Sequence, residues 1–170
     1  EITDEVFNES LYKKILEITL TLLKVQKGIL LLYENNSLFI KAIKNELLQE
    51  AIIVDSMFFE NSADLSHKLV KDAEKSGELI VLNNIQKNNK YTKSDNGTEL
   101  NAKSLLCYPL LYHNKILGFL YFEDSKNTNA FSSEKLEVIN LLSPQISISI
   151  KKSAIFSELD YKLSQKIYEH

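Results

Sequence analysis

Residues 104–156 carry the strongest structural signal in the chain and read SLLCYPLLYHNKILGFLYFEDSKNTNAFSSEKLEVINLLSPQISISIKKSAIF. Two β-rich runs, residues 104–112 and 115–123, flank the two-residue connection His113-Asn114, which is the pattern of a β-hairpin. From residue 132 onward, apolar residues recur every three or four positions, which predicts one long amphipathic helix. Its apolar face carries Leu136, Ile139, Leu142, Ile146 and Ile150.

The first half of the chain adds a helix, a second hairpin and a central helix. Residues 8–26 predict a helix, with Asn8 as its N-cap and Gly28 as its end. The turn-prone residues 34–37 predict the hairpin. Strands are predicted at residues 29–33, 38–43, 51–54 and 79–82, and a second helix at residues 62–76.

A long polar segment, residues 83–103, precedes the hairpin of residues 104–123. It is rich in Asn and Lys, and a connection this long inside a compact domain is typical of a lid, a binding loop or a mobile segment. The order of elements predicts an α+β fold with a central antiparallel sheet. We expect the N- and C-terminal helices on one face, and the short helix with the long loop on the other.

Composition and charge argue against several classes of protein. The chain has 170 residues, enough for one domain with a substantial core. Its net charge is −3 and all 20 basic residues are Lys, so a nucleic-acid partner is not expected, because Arg is the usual reader of guanine. No apolar run approaches the roughly 20 residues of a membrane helix, so membrane insertion is not expected. The lone Cys107 cannot form an internal disulfide, which fits a cytoplasmic protein.

Many positions of the second half follow a known family pattern. They include Ser104, Leu106, Cys107, Pro109, Leu110, Gly118, Leu120, Tyr121, Glu123, Phe131, Leu136, Glu137, Val138, Ser143, Gln145, Ile148, Ser149 and Ile150. Upstream, QKGILLL at residues 26–32 and GELIVLNN at residues 77–84 fit the same pattern. The chain resembles the GAF domain family over about residues 8–160. It is most similar to the GAF domain of large bacterial signalling kinases that combine Ser/Thr-kinase-like, ATPase, GAF and histidine kinase regions.

The chain departs from this group at a few positions. Pro144 stands inside the last helix, where it is expected to bend it. Lys151-Lys152-Ser153, Asn84 and Lys103 also replace residues that are common in the group. These departures weaken the transfer of ligand contacts from the family to this chain, whereas they do not affect the implied fold.

The resemblance implies a non-catalytic sensory or regulatory domain of a larger signal-transduction kinase. Such a domain binds a small molecule and relays to an output domain through its C-terminal helix. We expect residues 1–158 to form a single GAF domain that includes the N-terminal helix. Residues 159–170 would then begin a signalling helix of the coiled-coil type, and the start at Glu1 without Met predicts a segment of a longer protein. The alternative is a ligand-free homodimerisation and signal-relay module, and an enzyme is the third hypothesis.

The chain lacks a recognisable catalytic pattern. Cys107 lies among apolar strand residues and is interpreted as structural, and no second thiol could resolve the methionine sulfoxide reduction that some GAF domains perform. His67 and His113 lack the spacing of a metal pair, and His67 is expected to be half-exposed. Glu123-Asp124 is interpreted as solvating a turn. No catalytic residue, metal or cofactor is predicted.

The resemblance places a ligand on the sheet face opposite the terminal helices, under the middle helix and its loops. The candidate ligand-binding residues combine apolar surface with a few donors and acceptors, and they are Phe58, Phe59, His67, Asn83, Ile85, Tyr91, Leu105 and Tyr121. Side chains that fill the cavity themselves are the alternative. A parallel homodimer is predicted through apolar stripes on the first and last helices, formed by Leu11, Ile15, Ile18, Leu22, Ile148, Ile155, Leu159 and Leu163.

Overall fold

The structure is a computed structural model that describes residues 4–62, 65–93, 97 and 99–168. The described residues form three α-helices and six strands. The helices are α1 (Asp4–Leu23), α2 (His67–Ser76) and α3 (Ser133–Tyr168). The strands are β1 (Lys27–Glu34), β2 (Ser37–Lys44), β3 (Ile52–Phe58), β4 (Ile80–Leu82), β5 (Ser104–Tyr112) and β6 (Lys115–Asp124).

The six described strands form one antiparallel sheet in the order β3-β2-β1-β6-β5-β4. Each predicted hairpin turns on two residues with positive φ, Asn35 and Asn36 in the first and His113 and Asn114 in the second. Two consecutive positive φ angles give a type I′ turn, whose twist matches that of the flanking strands. The predicted α+β fold with an antiparallel sheet is confirmed.

The sheet separates two hydrophobic cores. On one face, α1 and α3 cover a core that includes Leu16, Leu30, Leu120, Phe122 and Ile139. On the other face, α2 and the described residues of the loop 83–103 cover a core that includes Ile29, Leu69, Ile85, Phe119 and Tyr121. Successive strand residues point to opposite faces, so neighbours such as Tyr121 and Phe122 belong to different cores. The layering is the one that the sequence predicts.

Gly118 allows β1 and β6 to approach each other closely. A Cβ atom placed on Gly118 would lie 2.0 Å from the carbonyl oxygen of Leu31, which is far inside van der Waals contact. Glycine in a strand interior often marks such a close approach of two backbones. The family-like Gly118 is therefore required by strand pairing.

Four element ends differ clearly from the sequence prediction. Helix α1 begins at Asp4, so Asn8 lies inside the helix and is not its N-cap. Helix α1 ends at Leu23 rather than at Gly28, because Lys24 adopts a φ of 56° and its N–H donates to the carbonyl of Leu20. Helix α2 begins at His67 rather than at residue 62, since Ser66 caps it by accepting from the N–H of Leu69. Strand β3 continues to residue 58 because it stays paired with β2 over that length.

Helix α3 continues without a break through Pro144. Pro144 has no N–H to donate to the carbonyl of Asn140, four residues earlier. The Ser143 hydroxyl lies 3.5 Å from that carbonyl and donates to it. From strand β5, the Tyr108 hydroxyl donates to Asn140 Oδ1 at 2.6 Å and lies 3.0 Å from Ser143 Oγ. The sheet thus supports the helix at the point where the sequence predicts a bend.

Candidate functional site

The predicted ligand site lies on the sheet face that α2 and the loop of residues 83–103 cover. Six of the eight predicted residues meet there with exposures of 0% to 7%, namely Phe59, His67, Ile85, Tyr91, Leu105 and Tyr121. All of these except His67 belong to one hydrophobic core. The space between the sheet and α2 is therefore occupied by these side chains.

The other two predicted residues lie outside this core. Phe58 is 48% exposed at the end of β3 and stacks on Phe39, with ring centroids 4.6 Å apart. The Asn83 side chain is exposed, while its backbone carbonyl accepts from the N–H of Asn129 at 2.7 Å. Phe58 lines a pocket of about 430 Å³ together with Phe59, and Asn83 is not among the residues that line it.

His67 is buried, which corrects the expectation of a half-exposed helix histidine. Its ring packs on Phe59, with centroids 5.0 Å apart, and Nε2 lies 3.1 Å from Ser62 Oγ. The Ser62 hydroxyl donates to the carbonyl of Phe59, so its oxygen accepts from the imidazole N–H. Among the described residues, no group of three or more His, Cys, Asp or Glu side chains could hold a metal ion.

Tyr91 connects the long loop to α2 by a hydrogen bond. Its hydroxyl donates to Asp72 Oδ2 at 2.6 Å, and the ammonium groups of Lys90 and Lys68 lie 3.3 Å and 3.0 Å from the same carboxylate. Burial acts to raise the pKa of Asp72, but the hydrogen bonds from Tyr91, Lys68 and Lys90 outweigh it and lower that pKa to about 2. The contact of the loop with α2 therefore depends on an ionised Asp72.

A buried polar chain crosses the same face of the sheet at its end. The N–H of Ser66 donates to the hydroxyl of Tyr121 at 2.9 Å, and this hydroxyl donates to Glu123 Oε2 at 2.5 Å. The ammonium of Lys27 lies 3.6 Å from the same oxygen of Glu123. Burial, together with the Glu123 carboxylate, raises the pKa of Tyr121 well above its ordinary value, so its hydroxyl stays a donor.

Lys27 and Glu123 line a small pocket beside this chain. Its volume is about 170 Å³, and its other lining residues are Gln26, Asn45, Glu46, Leu47, Asn101 and Ser125. The sequence interpretation of Glu123 as a turn residue is wrong, because its side chain is only 5% exposed. Asp124 does serve the turn, since it accepts from the N–H groups of Lys126 and Asn127. The signal for Glu123 was available, because strand alternation places it on the same face as Tyr121.

Cys107 is fully buried in β5, as the structural interpretation expects. Burial raises the pKa of its thiol far above the ordinary value, and the nearby Glu74 acts in the same direction. A thiol in this state is not a nucleophile.

A sequence-family model described as "GAF domain" matches residues 8–151. The chain belongs to the GAF family. A Dictyostelium discoideum protein, hybrid signal transduction histidine kinase G, is 34% identical over 87 residues, which are 51% of this chain and 2% of that kinase. The chain thus spans a small part of the curated relative that it matches. The bacterial setting expected from the sequence stays a prediction.

Solved GAF-type structures share the fold of this GAF domain. The GAF domain of an Acinetobacter phosphoenolpyruvate-protein phosphotransferase has a TM-score of 0.64 and 19% identity, with 87% of this chain and 86% of that chain covered. A type II free methionine-R-sulfoxide reductase from Thermoplasma acidophilum has a TM-score of 0.63 and 15% identity, with 86% and 93% covered. The GAF domain of a Bacillus halodurans two-component sensor histidine kinase has a TM-score of 0.59 and 16% identity, with 84% and 95% covered.

The predicted dimer residues of this GAF domain divide into covered and exposed groups. Ile15 is 5% exposed and lies in the core under α1, and Leu11 packs against that core. Ile148 is half-buried. The exposed group consists of Ile18, Leu22, Ile155, Leu159 and Leu163, with exposures of 45% to 60%. None of the described helices is both long and apolar enough to cross a bilayer.

Proposed function

We propose that this GAF domain is a non-catalytic sensory module of a larger cytoplasmic signalling kinase and that it relays its state to an output domain through α3. It does so as a parallel homodimer. The observation that carries the proposal is an exposed apolar stripe on the distal part of α3. The stripe consists of Ile155, Leu159, Leu163 and Ile167, whose exposures lie between 45% and 73%.

Helix α3 leaves the domain core near Ser153. Ser153 is 2% exposed and hydrogen-bonds to Asn8 of α1. The helix continues to residue 168, which adds about 22 Å at 1.5 Å per residue. Every side chain that the structure describes beyond Ser153 is exposed. This part of α3 has no domain core of its own to cover its apolar residues.

A second copy of the chain fits the stripe best. Residues spaced by four advance about 40° around a helix, so the four residues cover one continuous side of α3. Burying each large apolar side chain is worth about 1.5 to 3 kcal/mol, which favours pairing. A parallel arrangement sets the two stripes against each other residue for residue. It also sends both C-termini in one direction, as a shared output region requires.

The oligomeric state tests this proposal. Sedimentation velocity at high micromolar concentration is expected to give a dimer for the unaltered chain and a monomer for the Leu159→Lys, Leu163→Lys variant. The matched control is Ser164→Lys, Gln165→Lys, which adds the same charge away from the stripe and is expected to remain dimeric. A monomeric unaltered chain, or equal dimerisation of both variants, would contradict the proposal.

The ligand-free relay module is the second candidate function. The filled core under α2 favours it, because Phe59, His67 and Ile85 already occupy the expected ligand space. A ligand that displaces Tyr91 has to break its hydrogen bond to Asp72. In the ligand-free case, the domain pairs two chains and sets the register of their α3 helices, and it recognises no ligand.

Two findings support a signalling role without catalysis. The matched curated relative is a hybrid histidine kinase, and one similar structure comes from a sensor histidine kinase. The only cysteine of the chain, Cys107, is a buried thiol rather than a reactive one. Measurable methionine sulfoxide reduction by the isolated domain would contradict this part of the proposal.

A further inference from the structure

The first residue of β1 and the next-to-last residue of β6 form a buried pair of opposite charges. Lys27 and Glu123 lie directly opposite each other in the antiparallel register of β1 and β6. Their side chains are 13% and 5% exposed, and Lys27 Nζ lies 3.6 Å from Glu123 Oε2. Removing both charges from water is costly, so a buried pair of this kind is kept only with partners that stabilise both charges.

Hydrogen bonds on the side away from the pocket fix the orientation of the Glu123 carboxylate. The Tyr121 hydroxyl donates to Oε2 at 2.5 Å, and the backbone N–H of Ser66 donates to that hydroxyl at 2.9 Å. Tyr121 itself is fully buried. Because its neighbours fix the carboxylate, Glu123 is prepared to receive a positively charged group from the pocket.

The pocket in front of the pair has the size and polarity of a small polar ligand. Its volume of about 170 Å³ is close to that of protein cavities that accept a benzene-sized molecule. The amide side chains of Asn45 and Asn101 contribute further donors and acceptors to its lining. Glu46 of the lining is paired with Lys126 at 3.0 Å, and Lys27 with Glu123 at 3.6 Å, so the buried part of the lining carries one charge of each sign.

We propose that this pocket binds a small zwitterion, an α-amino acid with a short side chain. Its carboxylate faces the ammonium of Lys27, and its ammonium faces the carboxylate of Glu123. An ammonium group offers three donors and a carboxylate about four acceptor positions, so both residues can bind the ligand and keep their present partners. A ligand with a single charge would meet an opposite charge at only one of the two residues.

The position of the pocket links it to both layers of helices. Lys27 follows the end of α1 by four residues, and Glu123 is connected through Tyr121 to Ser66, the N-cap of α2. The inference deepens the proposed sensory function and rests on it for its biological consequence. The binding experiment does not depend on dimerisation. A failure to bind amino acids can therefore be told apart from a failure to dimerise.

Isothermal titration of the unaltered chain with glycine, L-alanine, L-serine and L-valine tests the inference. At least one of these amino acids is expected to bind with a Kd below about 1 mM. For the best of them, the N-acetyl derivative and the amide, which each remove one charge, are expected to bind at least about tenfold more weakly. Absence of binding for all four, or equal affinity for the singly charged derivatives, would overturn the inference.

Two variants test the assignment to this pocket. Lys27→Met and Glu123→Gln are each expected to weaken binding at least about tenfold, with circular dichroism confirming that they remain folded. The control is Glu50→Gln, which neutralises a carboxylate that is 72% exposed and absent from the pocket lining, and it is expected to bind normally. Unchanged affinity in folded Lys27→Met and Glu123→Gln would overturn the assignment. If neither variant folds, the derivatives tested on the unaltered chain decide the matter.

Discussion

Asp72 is the residue on which the contact between α2 and the long loop depends. It accepts from Tyr91 and pairs with Lys68 and Lys90, and its side chain is 19% exposed. Hydrogen bonds to a charged group are worth about 1.5 to 3 kcal/mol when they are well shielded from water. The carboxylate therefore stabilises the covered face of the sheet.

We predict that Asp72→Asn lowers the free energy of unfolding by about 1 to 2 kcal/mol at pH 6. The pKa of Asp72 is about 2 in the folded chain and lies below its ordinary value of 3.8. The stabilisation is therefore complete above pH 4 and is lost as the pH falls toward 2. Urea unfolding at several pH values should show the difference from the unaltered chain shrinking over this range, while the exposed Glu78→Gln control changes little. A difference that does not vary with pH would contradict the prediction.

Burial of apolar residues could be predicted from the sequence better than burial of polar ones. Cys107 and Tyr121 follow from the alternation of a strand, since that pattern alone tells which residues face a core. His67 and Glu123 were expected to meet water, and both are buried. A polar side chain is buried only when it finds a partner, and the partner of Glu123 lies on β1, in the other half of the chain. Strand alternation indicates the face on which Glu123 lies, but no local pattern reports its pairing with Lys27.

Helix α3 illustrates how contacts with the sheet support a helix at a proline. The helix continues through Pro144, with Tyr108, Asn140 and Ser143 hydrogen-bonded beside it, and the bend that the sequence predicts there stays a prediction. A second buried serine, Ser147, has no hydrogen-bond partner for its Oγ within the described part of the chain. The two serines lie one turn apart on the buried side of the helix and should respond differently to substitution.

We predict that Ser143→Ala destabilises the domain by about 1 kcal/mol, because it removes a hydroxyl that contacts both Tyr108 and the carbonyl left by Pro144. Ser147→Ala should leave stability unchanged or raise it by up to about 1 kcal/mol, since alanine favours the helix and removes an unpaired buried hydroxyl. Thermal unfolding of the two variants in parallel measures the contrast. Equal losses of stability would show that Ser147 has a partner after all.

Elements with a strong periodic pattern could be predicted from the sequence, and their ends could not. Both hairpins and all three helices lie where the pattern places them. The ends of α1, α2 and β3 differ because they depend on a left-handed Lys24, the Ser66 cap and the pairing of β3 with β2. Several local structures are acceptable at each of these ends, and tertiary contacts decide which one forms.

At the scale of the whole molecule, the two faces of the sheet have different tasks. One face holds α1 and α3, and the exposed stripe of α3 continues beyond the core. The other face holds a filled core with a small charged pocket at its end. The sequence predicts the division into faces correctly. Five of its eight candidate ligand residues belong to the core, and Phe58 and Phe59 line a pocket of about 430 Å³. A cavity depends on how side chains fill space, and a one-dimensional pattern does not contain that information.

Disulfide cross-linking of single-cysteine positions on α3 tests the parallel dimer most directly. The natural Cys107 is fully buried, so it should not interfere. Because a parallel pair brings identical residues together, Leu159→Cys and Leu163→Cys are expected to form dimers rapidly under mild oxidation. Ser164→Cys, which lies away from the stripe, is expected to remain largely monomeric. Equal cross-linking at all three positions, or none at Leu159→Cys and Leu163→Cys, would contradict the parallel relay.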